Sequence, residues 1–188
     1  MPAIFINGFL KRAIVKIYVE SHNETLNYDT VTWIFLYVGI AQTMEKQEDN
    51  FKHKTPVQIR FVDTDMLGHV NNSIYLSFME YARINYFRAV LGANVNWNSR
   101  GIIVAKAVID YKIPIFFRDN LIVKTRVSRL GKKSFDMEYQ LIHITPEKKE
   151  VLKATGVTVM VCYNYEENKT IEIPTEWREK IAKLEGLN

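Results

Sequence analysis

The spacing of apolar and polar residues predicts one buried helix early in the second part of the chain. Residues 57–63, VQIRFVD, alternate and are rich in strand-forming residues, which predicts a first strand. Apolar residues at helical spacing then predict a helix over 73–91, with Ser73 or Asn72 as N-cap and Gly92 after its end. This helix is apolar on most sides, so we expect other structure to enclose it.

Four long β-branched segments follow the helix. They lie at 102–115, 120–131, 134–145 and 151–164, and a short helix is predicted over 174–185. Their order favours an antiparallel meander, and the whole pattern predicts an α+β fold with the sheet wrapped around the helix. Because the outer face and the edge strands would still need cover, a homodimer with a continuous sheet is expected.

Residues 1–43 differ in character from the rest and form an N-terminal extension before a domain at 44–188. The run TVTWIFLYVGIAQTM is shorter than the ~20 apolar residues of a membrane-spanning helix, and Lys11, Arg12 and Lys16 interrupt the preceding apolar run, unlike in a secretory signal. Three interpretations stay open: an extra helix or hairpin, a membrane-surface anchor, or upstream sequence with a natural start at Met44. The last is favoured, because a charged stretch follows Met44.

Charge and cysteine content narrow the class of protein. The net charge of +4, with no long run of Lys and Arg, does not indicate a nucleic-acid partner. The single cysteine, Cys162, lies in an apolar run, which predicts a buried structural thiol and excludes an intrachain disulfide. We therefore expect a protein of the reducing cytoplasm without a cysteine-based metal site, and the short apolar run at 30–44 predicts no transmembrane segment.

The candidate chemistry lies just before the buried helix, in TDMLGHVNNS. A helix start carries unpaired N–H groups and partial positive charge, which can stabilise the oxyanion formed when a carbonyl is attacked. Asp65 could attack such a carbonyl or activate water, Gly68 permits a sharp turn, and the backbone N–H of Asn72 lies at the helix start. The alternative is purely structural: Asp63 and Asp65 hold turns, His69 forms a structural hydrogen bond, and Glu80 and Arg83 pair on the helix.

These residues also carry a resemblance to a known family. The motif Asp65-Met66-Leu67-Gly68-His69-Val70-Asn71-Asn72, followed by Tyr75-Leu76 and Glu80-Tyr81-Ala82-Arg83, resembles the hotdog-fold acyl-CoA thioesterases of the 4-hydroxybenzoyl-CoA thioesterase group, in particular the long-chain acyl-CoA branch. The likeness continues in DYKIPIFFRDNLIVKTRV, GKKSFDMEYQL, ATGVTVMVCYN and IPTEWREKI, and so covers about residues 56–182.

The resemblance implies a five-stranded antiparallel sheet wrapped around a long central helix, in a homodimer or homotetramer with sites between subunits. It implies that Asp65 is the nucleophile or general base, that the N–H near Asn72 holds the thioester carbonyl, and that no metal or cofactor is needed. His69 would orient groups or donate a hydrogen bond beside Gly68.

Substrate contacts are expected from Asn71, Tyr75, Arg126, Arg129, Lys132 and Lys133, the last four toward CoA phosphates. The aromatic helix residues Tyr75, Phe78, Tyr81 and Phe87 are candidates to line an acyl tunnel.

Two departures keep alternatives open. One bacterial branch of the family has a His where Asn72 stands, so a role for histidine at that position is not expected here. Plant-type acyl-carrier-protein thioesterases have an Asn where Leu67 stands, but they share the His-Val-Asn-Asn run. An acyl-carrier-protein thioesterase and a non-catalytic acyl-CoA-binding protein therefore remain as alternatives. A hotdog dehydratase is a weaker one, since this loop is not its pattern.

Overall fold

A computed structural model describes residues 50–187, which form an antiparallel sheet with two helices. In chain order the elements are β1 (His53–Val57), a 3-10 turn (Phe61–Asp63), α1 (Ile74–Leu91), β2 (Gly101–Tyr111), β3 (Leu121–Leu130), β4 (Ser134–Ile144), β5 (Glu150–Asn164), β6 (Lys169–Thr170) and α2 (Thr175–Glu185). Both predicted helices and the four long strands are present. The expectations for residues 1–43 lie outside the described residues.

The order of the strands differs from a simple meander. The sheet runs β1-β3-β4-β5-β2, with β6 on β5, and all pairs are antiparallel. The prediction of a meander holds for β3, β4 and β5 but is wrong for β2, which pairs with the end of the sheet remote from β3. Residues 112–120, here called the crossing segment, therefore pass across the ends of β5 and β4 before β3 begins.

The number of strands and the position of the first one also differ from the sequence prediction. The described residues contain six strands rather than five, because the two-residue β6 pairs with Tyr163 and Asn164 of β5. The first strand ends at Val57 instead of beginning there. The alternating pattern of 57–63 is overridden by the bend that Arg60 and Asp63 stabilise.

This bend depends on a buried carboxylate. Asp63 is 1% exposed and accepts hydrogen bonds from the Arg60 backbone N–H at 2.7 Å and from the Arg60 guanidinium at 2.7 Å. The Asp63 backbone oxygen also accepts the N–H of Asn71 at 2.9 Å. The guanidinium lowers the pKa of the Asp63 carboxyl, because its hydrogen bonds favour the charged form.

Helix α1 packs one face on the sheet and leaves another exposed. Tyr75, Met79, Ala82 and Tyr86 are buried in the core that α1 forms with the sheet and α2. The Cβ that a side chain would add at Gly156 of β5 would lie 2.6 Å from Cε of Met79, so the bare backbone there lets helix and sheet approach closely. Within this single chain, the expected enclosure of α1 is incomplete, since the side chains of Leu76, Tyr81 and Ile84 are exposed.

Helix α2 closes the core from the far end of α1. Trp177 and Ile181 are buried, and the Tyr86 hydroxyl donates to Glu185 Oε1 at 2.6 Å. The same oxygen accepts the N–H of Val127 at 3.2 Å. One carboxylate oxygen thus joins α2 to α1 and to β3.

Replacing Asp63 by Asn should lower the free energy of unfolding near neutral pH by about 1–3 kcal/mol, because the buried partner of Arg60 loses its charge. The folded pKa lies below the ordinary value of about 3.9, so the stabilisation is present above that value and is lost as pH falls through the folded pKa. Denaturant unfolding of both proteins at several pH values measures this, and the difference should shrink at acidic pH. The exposed Glu166→Gln is the control and should change stability little. A difference that is constant down to acidic pH would contradict the assignment.

Candidate active site

Residues 64–72, here called the site loop, form a small hairpin that leads into α1. Thr64 and Val70 form an antiparallel bridge, and the Asp65 N–H donates to the His69 carbonyl at 3.0 Å. The turn is closed by the Gly68 N–H, which donates to the Asp65 carbonyl at 3.0 Å. Gly68 has φ +79°, a conformation that glycine adopts without the Cβ strain of other residues.

The hairpin brings the carboxylate of Asp65 and the ring of His69 together. Oδ1 of Asp65 accepts the N–H of Leu67 at 2.8 Å, and Oδ2 lies 3.5 Å from Nδ1 of His69. Both side chains are 29% exposed, so a reactant has access to them. The loop therefore holds one carboxylate oxygen by a backbone donor and places the other beside an imidazole.

The backbone N–H of Asn72 lies uncapped at the start of α1. Oδ1 of Asn71 accepts the Ser73 N–H at 2.9 Å and the Ser73 hydroxyl at 2.8 Å, and the Asn71 carbonyl accepts the Ile74 N–H at 2.9 Å. No acceptor among residues 50–187 takes the N–H of Asn72. This donor lies at the positive end of the helix dipole, which is suited to bind a carbonyl oxygen or an anion.

The crossing segment holds the loop in place. The Val70 N–H donates to the Ile115 carbonyl at 2.7 Å, and His69 forms a β-bridge with Phe116. Tyr75 is buried, and its hydroxyl accepts the Ile115 N–H at 3.3 Å. Tyr75, expected as a substrate contact, thus ties α1 to the crossing segment.

Three residues that support this site were not found from the sequence. Tyr111 donates its hydroxyl to the Asn72 carbonyl at 3.1 Å. Lys153 is buried, and its ammonium lies 2.9 Å from both the Pro114 carbonyl and Oδ2 of Asp119. The same Oδ2 of Asp119 accepts the Phe116 N–H at 3.0 Å. The sequence offered one indication of the role of Lys153, which is the single lysine inside the apolar run of β5. A buried cation needs an acceptor, so such a lysine points to a bonded partner nearby.

The four cations expected to bind CoA phosphates are not brought to the site loop within the chain. Arg129, Lys132 and Lys133 lie at the turn of the β3–β4 hairpin and Arg126 in the middle of β3, whereas the crossing segment enters the other end of β3. Each already has an acceptor: Arg126 pairs with Glu138, Arg129 with Asp136, Lys132 with Glu172, and Lys133 with the Thr170 carbonyl. A phosphate would have to compete with these acceptors.

A cleft of about 700 Å³ lies along the C-terminal half of α1. Its lining comes from α1, from the loop after it, from the start of β2 and from residues near the end of β5: Glu80, Arg83, Ile84, Phe87, Arg88, Gly92, Ala93, Trp97, Ile102, Ile103, Val104, Met160 and Tyr165. Of the four aromatic residues proposed for a tunnel, only Phe87 lines this cleft. Tyr75 and Phe78 belong to the core, and Tyr81 lies in a separate surface depression with His53.

A cysteine nucleophile receives little support from the described residues. Cys162 is buried, and burial raises the pKa of its thiol to about 11, as expected of a structural thiol. Residues 50–187 contain no group of three His, Cys, Asp or Glu side chains that could hold a metal ion. In the same range no helix is long and apolar enough to span a membrane.

Comparisons with known proteins agree with this architecture. The model of the thioesterase-like superfamily matches residues 59–181. The long-chain acyl-CoA thioesterase FadM of Escherichia coli is 27% identical over 70% of this chain and 98% of its own. The chloroplastic acyl-acyl carrier protein thioesterase ATL3 of Arabidopsis thaliana is 21% identical, over 69% of this chain and 67% of its own.

A solved structure extends the likeness to three dimensions. A thioesterase from Thermus thermophilus, complexed with coenzyme A and Zn, is 35% identical, with a TM-score of 0.62 over 73% of this chain and 98% of its own. The resemblance inferred from the Asp65–Asn72 motif is thereby confirmed. The chain belongs to the thioesterase-like superfamily and is a thioester hydrolase of the hotdog fold.

Proposed function

We propose that this protein hydrolyses acyl-CoA thioesters to the free acid and CoA. The observation that carries the proposal is the uncapped Asn72 N–H at the start of α1, in the loop that also presents Asp65 and His69. The activities named for the E. coli relative and the CoA bound to the Thermus structure support CoA as the thiol carrier.

In the proposed mechanism, the thioester carbonyl oxygen accepts the N–H of Asn72. Asp65 attacks the carbonyl carbon, or it removes a proton from a water that attacks it. The oxygen becomes an oxyanion, which the N–H and the positive end of α1 stabilise more strongly than they stabilise the neutral carbonyl. The C–S bond then breaks and CoA leaves as a thiolate. If an acyl-Asp65 intermediate forms, water hydrolyses it in a second step.

His69 would orient the carboxylate in this mechanism. Its Nδ1 lies 3.5 Å from Oδ2 of Asp65, the oxygen not held by the Leu67 N–H. A ring N–H at this position can approach Oδ2 and fix the direction from which the carboxylate meets the carbonyl.

We further propose that the active form is a homodimer joined along β2, or a homotetramer of two such dimers. β2 lies at the end of the sheet and pairs, among the described residues, with β5 alone. Val104 and Val108 on β2 are exposed, as are Leu76 and Ile84 on α1. A long apolar edge strand beside an apolar helix face calls for cover, and a two-fold axis can supply it with the same surface.

An acyl-carrier-protein thioesterase is the alternative, favoured by the similarity to ATL3. The exposed Leu67 stands where that branch carries an Asn, so the loop lacks the side-chain amide of that branch next to Asp65. Hydrolysis of the same acyl group on CoA and on carrier protein distinguishes the two functions.

Asp65→Asn should lower kcat/KM for acyl-CoA hydrolysis by about 10²-fold or more, because the amide is neither a base nor a nucleophile of comparable strength. Thiol release from short, medium, long and aromatic acyl-CoAs measures this in the full chain. Glu166→Gln, in the exposed turn between β5 and β6, is the matched control and should retain activity. Full turnover by the Asp65 variant would refute the mechanism.

Asn72→Ala should keep kcat/KM within about threefold, because the proposed donor is the backbone N–H, which alanine retains. The Asn72 side chain is exposed, so folding should be unaffected. The same thiol-release assay, run beside the Asp65 variant, gives the comparison. A loss as large as that of Asp65→Asn would show that the side chain of Asn72 acts instead.

Val108→Lys should weaken the dimer, because it places two charges at the apolar edge that the two-fold axis brings together. Light scattering behind size exclusion should give twice the chain mass for the wild type, or four times if dimers pair, and a smaller, concentration-dependent mass for the variant. Glu179→Lys adds a cation at an exposed position on α2, which packs on α1 and β3, and this variant should stay dimeric. A monomeric wild type, or a variant with unchanged mass, would contradict the proposed interface.

A further inference from the structure

Lys153 is the extra residue of a β-bulge in β5. The register with β4 passes from Ala154 directly to Leu152, so Lys153 has no partner residue in that strand. A bulge of this kind bends a strand and redirects a side chain. The Lys153 carbonyl accepts two N–H groups at the start of the crossing segment, from Lys112 at 2.9 Å and from Ile113 at 3.0 Å. The bulge therefore joins β5 to the segment that leads from β2 to β3.

The side chain of Lys153, which is 7% exposed, contacts the same segment further along. Its ammonium donates to the Pro114 carbonyl at 2.9 Å and to Oδ2 of Asp119 at 2.9 Å. The ammonium also lies 5.7 Å from the centre of the Phe116 ring, within the range of a cation–π contact. Because a buried ammonium is stable only with acceptors around it, these contacts fix the segment over the lysine. One residue thus holds the crossing segment near both of its ends.

The crossing segment in turn holds the hairpin that carries Asp65. The Ile115 carbonyl accepts the Val70 N–H at 2.7 Å, and Phe116 forms a β-bridge with His69. Ile115 and Phe116 stand in the chain between the two acceptors of the buried ammonium. The hairpin is therefore attached to the stretch of backbone that the ammonium fixes.

From these contacts we infer that Lys153 is a positioning residue for the proposed hydrolysis. It acts from β5, without contact with the reacting atoms, and sets through the crossing segment where the Asp65 carboxylate meets the thioester carbonyl. Without the ammonium the segment loses its attachment to β5, and the hairpin shifts with it. A misplacement of about 1 Å can cost about 10²-fold in rate. The inference rests on the proposed function and adds to it a residue outside the site loop and α1.

Lys153→Met removes the charge and keeps a side chain of similar length. We expect kcat for acyl-CoA hydrolysis to fall about tenfold or more and KM to change less than about threefold, because the position of the carboxylate affects the chemical step rather than binding. Lys124→Met is the matched control, since Lys124 is also buried in the sheet and its ammonium bonds to the Glu150 carboxylate at 2.6 Å. The control should lose stability to a similar extent and keep kcat within about twofold of the wild type.

The same substitution in the Asp65→Asn protein separates positioning from a loss of folded enzyme. If Lys153 acts through the carboxylate, Lys153→Met should lower the residual activity of Asp65→Asn by less than about twofold, because no carboxylate remains to be placed. A loss of folded enzyme would lower activity by the same factor in both backgrounds. An equal factor in the two backgrounds, an effect on KM alone, or a wild-type kcat in Lys153→Met overturns the inference and leaves the proposed function intact.

A second variant and a second measurement keep the inference decidable. If Lys153→Met does not fold, Asp119→Asn removes the charge of the ammonium's partner and decides by the same comparisons. If no acyl-CoA is hydrolysed, the proposed function fails by itself, and native-state amide exchange still decides whether Lys153 holds the hairpin. The Val70 N–H should then exchange about tenfold faster in Lys153→Met than in Lys124→Met. Equal exchange in the two variants refutes the attachment.

Discussion

The contact between the site loop and the crossing segment is the constraint on which the rest of this structure depends. Because β2 and β3 lie at different positions of the sheet, the chain must pass across the ends of β5 and β4. In this crossing segment the Ile115 carbonyl accepts the Val70 N–H, and the Ile115 N–H donates to the Tyr75 hydroxyl. From β5, the buried Lys153 bonds to the Pro114 carbonyl and to the Asp119 carboxylate, both within the same segment. One stretch of backbone thereby fixes the loop, the start of α1 and the strand ends relative to one another.

This arrangement places the proposed reaction at one end of α1. The N-terminal end presents a backbone donor and a carboxylate, groups that act on any thioester and carry no information about the acyl group. The C-terminal half borders a cleft whose lining includes Arg83 and Glu80. Substitutions in that cleft do not touch the hairpin that holds Asp65, so they leave the proposed reaction centre in place.

The chain by itself leaves apolar surface uncovered on the helix face and on the edge strand of the sheet. Helix α1 is apolar on most sides in sequence, yet Leu76 and Ile84 are exposed. A second subunit would reconcile these two facts, because an edge strand and a helix face that are unpaired in one chain can be covered by their copies. The same surface adjoins the cleft, which Ile84 and Val104 help to line. Dimer formation would then also close this cleft.

The sequence by itself determined the helices, the long strands, the family and the loop that carries Asp65, His69 and Asn72, because each depends on local periodicity or on a contiguous motif. Only the tertiary structure decided the position of β2, the bend that Arg60 and Asp63 impose on an alternating segment, and the roles of Tyr111, Lys153 and Asp119. It also paired Arg126 and Arg129 with carboxylates and placed Arg83 in a cleft. These features depend on which distant residues meet, and neither the spacing of residues along the chain nor their type specifies such contacts.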